Sequence, residues 1–284
     1  MNYVFSGHET FTCRHYWLKK GLDHLWSEKS FGDSAVLHLG IGKNMVAAVR
    51  YYLKAYGFVG DNDRFRDLAS DIFADDGYDP YLEDIGTIWL LHYFISTSGY
   101  ATSYFLFFNY FRKLKPRFTR TQFKTYLVNE TVSQGKRFSE NSIKKDVAVL
   151  VNNYNRSSKL KHPEDGFNSF MYELGLIEKN EKIGNEDVFM ISNKVRENLP
   201  PRIVLACIRL SNSGSTVTLQ ELQNGINQIG NILVLSSMAI RDVLDKVNKL
   251  YPQEIIIKED AGVQTLQIKS TITIDRILND YYND

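Results

Sequence analysis

The chain begins with a group of residues that could cleave a phosphodiester bond. His8, Glu9 and Arg14 place an imidazole, a carboxylate and a guanidinium within a few positions of one another. Such a trio could deprotonate a water molecule for attack on phosphorus, while Arg14 holds a phosphate oxygen. The same spacing also fits a structural interpretation, in which Glu9 pairs with Arg14 and His8 is a hydrogen-bonded loop residue. The spacing leaves both interpretations open.

A second candidate is the dense group of carboxylates at residues 75–84. Asp79 and Glu83 are four residues apart, which on a helix would put both on one face, and Asp84 follows directly. Together they are candidate ligands for a divalent metal such as Mg²⁺, and Glu83 is also a candidate catalytic residue. Alternatively, Asp79 is an N-cap with Pro80 at the first helical position, and the acids only favour the helix dipole.

Cations that could hold a polyanion lie on a predicted helix. Residues 33–39 predict a short helix, residues 40–42 a Gly-rich turn, and residues 43–56 a longer helix that Gly57 ends. Apolar residues of the longer helix recur at helical spacing and should face the core. A separate face carries Lys43, Ala47, Arg50 and Lys54.

Such a basic face, starting at a helix N-terminus, is typical of a recognition helix that reaches DNA phosphates and base edges. The alternative is an ordinary solvated helix face. The predicted DNA contacts on this helix are Lys43, Asn44, Arg50 and Lys54.

The net charge of +1 hides an uneven distribution of charge along the 284 residues. Residues 101–160 hold 12 basic and 3 acidic side chains, whereas residues 61–100 hold 2 basic and 9 acidic ones. A local excess of cations is typical of a surface that binds a polyanion. The predicted DNA contacts in the basic block are Arg117, Arg120, Lys144 and Lys145.

The order of predicted elements near the C-terminus is that of a winged helix. Residues 202–210 predict a helix, the capping box at 218–221 opens a second helix, and residues 236–250 form a third. Strands at 255–258 and 263–268 then form a hairpin. The residues of the third helix that could face the core are Met238, Val243, Val247 and Leu250.

The middle of the chain fits the same order, with a capping box at 119–122, a helix from Ser139, and strands near Ile177 and at 188–191. The sequence therefore predicts a mainly α fold with small β-hairpins (α+β), built from tandem winged-helix or helix-turn-helix units. The predicted domains are an N-terminal helix-turn-helix domain at 1–100, a basic winged-helix-like domain at 101–198 and a C-terminal winged-helix domain at 199–284.

Membrane and disulfide-rich classes are excluded by the composition. No apolar run approaches the roughly 18 to 20 residues that span a bilayer, and the N-terminus has neither a basic nor an apolar signal region. Cys13 and Cys207 are far apart and unaccompanied, which favours structural thiols. We expect a cytoplasmic protein without a membrane partner.

Three blocks of the sequence resemble the signature motifs of a bacterial family, and they lie at residues 5–21, 39–46 and 79–92. The family was long catalogued only as a domain of unknown function and is found beside DNA phosphorothioation genes. The chain resembles its SspB type, the nicking component of single-strand phosphorothioation systems. The resemblance implies that the protein nicks one DNA strand so that a cysteine desulfurase and an ATP-dependent sulfur-transfer enzyme can place sulfur on the backbone.

These observations predict a strand-nicking, DNA-binding endonuclease of a phosphorothioate modification and defence system. The candidate catalytic residues are His8, Glu9, Arg14 and Glu83, the candidate metal ligands are Asp79, Glu83 and Asp84, and Mg²⁺ is the candidate cofactor. The alternative is a regulator or adaptor that binds DNA without chemistry and recruits the sulfur-transfer partners.

Overall fold

The computed structural model describes residues 3–28, 30–32, 34–60, 67–155 and 169–284. The chain divides into two compact units, residues 1–191 and 192–284. Each unit combines helices with a small antiparallel sheet of three strands, which confirms the predicted α+β class. Residues 1–100 and 101–191, which fall into different predicted domains, pack into the same unit.

The first part of the first unit is helical. Its helices are α1 (Trp17–Glu28), α2 (Ala35–Leu39), α3 (Lys43–Ala55), α4 (Asp67–Phe73) and α5 (Ile85–Thr97). α3 starts after Gly42, and the chain leaves it through Gly57 at a φ of 75°, as the sequence predicts. The predicted start of α2 at Asp33 lies outside the described residues.

The second part of the first unit carries its sheet. The elements are α6 (Thr102–Leu106), a π-helical turn (Phe107–Phe111), α7 (Arg112–Leu114), β1 (Arg117–Thr119), α8 (Arg120–Ser133), α9 (Glu140–Tyr154), a 3₁₀ helix (Phe170–Leu174), β2 (Glu178–Ile183) and β3 (Glu186–Met190). β3 lies between β1 and β2. The predicted capping box is present, because Thr119 and Gln122 each accept a hydrogen bond from the other's backbone N–H at the start of α8.

The second unit repeats this order of elements. It consists of α10 (Pro201–Ser211), β4 (Thr216–Thr218), α11 (Leu219–Asn224), α12 (Ile229–Ile232), α13 (Ser237–Leu250), β5 (Ile255–Asp260), β6 (Val263–Ile268) and α14 (Ile274–Tyr282). β6 lies between β4 and β5, so the strand order matches that of the first sheet. The predicted capping box between Thr218 and Glu221 is also present.

The buried face of α13 differs in part from the prediction. Val247 is buried as predicted, whereas Met238 and Leu250 are exposed. Ile240 and Leu244 complete the buried stripe instead, since they lie at helical spacing from Val247. Val243 is also buried as predicted, and the prediction was wrong for Met238 and Leu250 at the two ends of the helix.

Among the described residues no helix is long and apolar enough to cross a membrane. Cys13 and Cys207 are buried and form no disulfide, as predicted for structural thiols. Burial raises the pKa of both thiols.

Candidate functional site

A cleft in the first unit brings together residues from two of the predicted groups. Its volume is about 560 Å³. Glu9 comes from the N-terminal loop, and Lys43, Arg50 and Lys54 come from α3, so among the described lining residues one carboxylate shares the cleft with three cations. We call it the basic cleft. The rest of its lining includes Gly7, Phe31, Val36, Tyr51 and Tyr100.

α3 presents its cations to the basic cleft because another face of the helix is buried against α1. Val49 is 1 % exposed, and a Cβ added to Gly21 of α1 would lie 2.5 Å from its Cγ1 atom. This close approach needs glycine and fixes the rotation of α3 about its axis. Lys43 and Arg50 are then exposed, and Lys54 is half-buried.

The loop that carries Glu9 has an unusual backbone. Ser6 and Glu9 adopt the left-handed region, with φ of 70° and 57°, and Gly7 between them has a φ of 109°. A Cβ on Gly7 would lie 2.7 Å from the Cδ2 atom of Tyr51, so the loop lies directly on that ring. Non-glycine residues in sparsely populated backbone regions cost about 1–3 kcal/mol each, and they cluster at functional sites.

A buried carboxylate from α9 holds this loop in place. Asp146 accepts hydrogen bonds from the Ser6 backbone N–H at 2.8 Å, from His8 Nε2 at 3.0 Å and from the Ser103 hydroxyl at 3.4 Å. Because a carboxylate only accepts, the proton of the His8 contact lies on Nε2. The imidazole also meets the Tyr51 ring edge to face, with 5.3 Å between ring centroids. His8 is 1 % exposed and therefore anchors the loop beneath the cleft.

The sequence of the chain matches a known protein family over nearly its whole length. Residues 5–282 match the model of a family described as a protein of unknown function, DUF4007. The chain belongs to the DUF4007 family. This result confirms the family resemblance that the sequence motifs suggest.

Two solved structures resemble this DUF4007 chain over its whole length. One is a magnesium ion-bound SspB crystal structure with a TM-score of 0.86, and the other is an SspB crystal structure with a TM-score of 0.85. Both are 28 % identical to the chain, over 99 % of this chain and 88 % of theirs. A search of curated proteins finds no match.

The acidic turn of the DUF4007 chain, residues 79–84, differs from the prediction. Residues 79–84 are not helical, since Leu82 has a φ of 56° and α5 begins only at Ile85. The expected shared helix face of Asp79 and Glu83 is therefore absent, and so is the expected helix start at Pro80. The N-cap is Asp84 instead, whose Oδ1 accepts from Gly86 N at 2.8 Å and Thr87 N at 3.1 Å.

The acidic turn does not fit a magnesium site. Asp79 accepts from Glu83 N at 2.8 Å and from Asp84 N at 3.1 Å, so its two oxygens stabilise the turn. Asp84 is committed to the start of α5. None of the three acids lines the basic cleft. Within the described ranges no three His, Cys, Asp or Glu side chains are grouped so that they could hold a metal ion.

Two other predicted residues lie outside the basic cleft. Arg14 lies in a separate cavity of about 210 Å³, with its guanidinium 5.4 Å from the ring centroid of Trp17. Asn44 is exposed on the first turn of α3 but is not part of the cleft lining. The predicted trio of His8, Glu9 and Arg14 is thus divided between three surroundings.

The predicted DNA contacts in the basic block at residues 101–160 also have different surroundings. Arg117 forms a salt bridge with Glu181 of β2. Arg120 donates to Asn152 Oδ1 at 2.8 Å and stacks over Phe189 at 5.0 Å, and burial lowers its pKa. Both arginines therefore make contacts within the fold. On α9, Lys144 is exposed and Lys145 is half-buried.

Sequence reasoning missed Asp146, Tyr51 and Tyr100. Asp146 could have been found from the sequence, because it directly precedes Val147 on the apolar face of a predicted helix. A carboxylate buried there needs a hydrogen-bond partner. Tyr51 and Tyr100 carry no such signal, since aromatic residues at helical spacing are common in cores. Only the folded chain brings them to the cleft.

Proposed function

We propose that the chain is a cytoplasmic, DNA-binding endonuclease that nicks one strand within a bacterial phosphorothioate modification and defence system. The observation that carries the proposal is the basic cleft, which Glu9 lines together with the three cations of α3. The likeness to SspB structures supports the phosphorothioation context. The partners would be DNA, a cysteine desulfurase and an ATP-dependent sulfur-transfer enzyme.

The cations of the cleft would hold the DNA backbone. Lys43, Arg50 and Lys54 are spaced along one face of α3, so they can contact successive phosphate oxygens by charge-assisted hydrogen bonds. Such contacts position a strand without reading its sequence. The order of strand, helices and hairpin in each unit supports further winged-helix contacts with DNA, to which Lys144 and Lys145 could contribute.

Glu9 would act as the general base. Among the described residues that line the cleft, Glu9 is the carboxylate that could accept a proton beside a bound phosphate. Glu9 would take a proton from water, and the water oxygen would attack phosphorus while the bond to one bridging sugar oxygen breaks. That leaving oxygen takes up a proton from solvent, and the cations stabilise the charge on the phosphoryl oxygens. His8 and Asp146 would be positioning residues that hold the loop.

The structure gives no basis for routing this step through magnesium. The magnesium ion-bound SspB structure suggests that this chain also binds Mg²⁺. Of the acids predicted as its ligands, Asp79 and Asp84 accept hydrogen bonds from backbone N–H groups instead. The proposed step therefore uses only Glu9 and the α3 cations.

A nicking assay tests the proposal. Purified protein, with and without its sulfur-transfer partners and Mg²⁺, should convert supercoiled plasmid to open circles. The adaptor alternative is favoured by the use of Asp79 and Asp84 as caps. It would replace the nickase if no condition yields open circles while the protein still binds DNA.

A further inference from the structure

Among the described residues that line the basic cleft, all the cations come from one side. α3 contributes the three cations. Phe31 comes from the segment before α2, Val36 from α2 itself, and Tyr100 from the turn after α5. These side chains carry no charge, so the cleft has a cationic part and an apolar, aromatic part.

The size of the cleft also exceeds the needs of backbone binding. Contacts to the phosphates of paired DNA require only exposed donors on a surface. A volume of about 560 Å³ instead lies in the range of about 300–1,000 Å³ that encloses small ligands. The cleft therefore has room for a group the size of a small ligand and does not only touch a backbone.

Tyr51 lines the basic cleft and carries a buried hydroxyl group. The hydroxyl of Tyr51 is buried and makes no hydrogen bond to any of the described residues. Burial and the charge of Asp146 raise the pKa of Tyr51 well above its ordinary value, so the hydroxyl keeps its proton. Tyr51 also lies against Tyr100, with 5.6 Å between ring centroids, which gives the cleft an aromatic floor.

We infer that the basic cleft receives one unpaired nucleotide of the DNA strand, with its base on the Tyr100 and Val36 side and its phosphates on Lys43, Arg50 and Lys54. Bases stack on aromatic side chains without sequence preference, and cations track the backbone. The inference rests on the proposed function and specifies its substrate as a strand with an unpaired base. Extruding a base is least costly where it is already mispaired or unpaired.

The test compares two DNA duplexes that differ only in one bulged 2-aminopurine. Binding is measured by anisotropy, and the environment of the base by 2-aminopurine fluorescence. The bulged duplex should bind roughly tenfold more tightly than the paired one, with a change in base fluorescence. Val36→Trp should remove this preference by filling the apolar part, so that bulged DNA binds no more tightly than paired DNA. Leu37→Trp is the matched control, because Leu37 is 84 % exposed on the same helix but does not line the cleft.

The outcomes separate the inference from the proposed function. Equal binding of bulged and paired DNA, or an equal loss for both in Val36→Trp, overturns the inference. If Lys43→Ala and Arg50→Ala still weaken paired DNA in that case, the proposed function stands alone. Free dAMP should compete only weakly. If dAMP binds as tightly as the bulged strand, the cleft is a site for a free nucleotide and the inference is wrong.

Discussion

The N-terminal loop that carries Glu9 and the acidic turn at residues 79–84 are stabilised in a similar way, but with different consequences for chemistry. Each contains a non-glycine residue with positive φ, Glu9 in one and Leu82 in the other. Each is held by a carboxylate that accepts at least one backbone N–H group. In the acidic turn the carboxylate belongs to the turn itself. In the loop it comes from Asp146, far along the chain.

This difference decides which carboxylate is available for chemistry. The carboxylates of Asp79 and Asp84 accept hydrogen bonds from backbone N–H groups a few residues later in the chain, so both have structural roles. In the loop, Asp146 accepts the Ser6 backbone N–H, so the Glu9 carboxylate is not needed for that hydrogen bond. Glu9 lines the basic cleft together with the cations of α3. A cluster of acids in a sequence is therefore a weaker sign of a site than a single acid whose loop is anchored by a distant residue.

The largest effect on stability should come from removing the anchor of the loop. Asp146→Ala leaves the Ser6 N–H and His8 Nε2–H buried without an acceptor. Each orphaned donor costs about 1–3 kcal/mol, so the free energy of unfolding should fall by about 2–6 kcal/mol. Nicking should be lost as well, because Glu9 is no longer positioned. Urea unfolding and plasmid nicking below the unfolding midpoint measure both effects.

Asp79→Ala is the matched variant in the acidic turn, since it also removes a carboxylate that accepts two N–H groups. It should lower stability and leave the nicking rate of the folded protein unchanged. The contrast between the two regions would be wrong if both variants lost nicking equally.

A smaller effect is expected at the contact between the loop and Tyr51. Gly7→Ala combines a φ of 109° with a Cβ 2.7 Å from the ring, so it should cost about 1–3 kcal/mol and reduce nicking. Gly40→Ala is the control, because its φ is 61° but nothing lies within 4 Å of the added Cβ. It should cost about 1 kcal/mol and spare nicking. Equal losses in thermal unfolding and nicking would show that the Tyr51 contact is unimportant.

Removing the N-cap of α5 should lower the free energy of unfolding by a smaller amount. Asp84→Ala deletes the acceptor for Gly86 N and Thr87 N, which is worth about 1 kcal/mol of unfolding free energy. The expected result is a small decrease in Tm with unchanged nicking. A nicking defect in a fully folded Asp84→Ala protein would return the acidic turn to the candidate site.

The smallest effect per residue concerns the cations. Lys43→Ala and Arg50→Ala should each reduce the slope of log affinity for DNA against log salt concentration by about one unit, because each removes the cation that neutralises one phosphate. Thermal unfolding should not change, since both side chains are exposed. A salt slope equal to that of the unaltered protein would mean that the face of α3 does not bind DNA.

Local signals in the sequence predicted much of the fold. The capping boxes at Thr119 and Thr218, the glycine after α3 and the final hairpin all depend on neighbouring residues, and all are present. The cationic face of α3 was predicted for the same reason, because helical spacing is local. Such signals specify where elements begin and end.

Features that depend on distant residues were not predicted. The hydrogen bond of Asp146 with His8 joins residues 138 positions apart, so no spacing rule reveals it. Arg117 and Arg120 carry an ordinary basic pattern, and only the fold shows how they pack with Glu181 and Phe189. The acidic turn was assigned to a helix because Asp-Pro is a common helix start, but Leu82 in the left-handed region ends that possibility.

The most direct test of the account compares Glu9→Gln with Glu83→Gln in plasmid nicking. Both substitutions remove one negative charge and keep the shape of the side chain, but only Glu9 lines the basic cleft. Loss of a general base should slow nicking by roughly 10²–10⁴-fold in Glu9→Gln, with DNA affinity and Tm retained. Glu83→Gln should nick at the rate of the unaltered protein. Unimpaired nicking by Glu9→Gln, or an equal defect in Glu83→Gln, would contradict the assignment of the basic cleft as the site of strand cleavage.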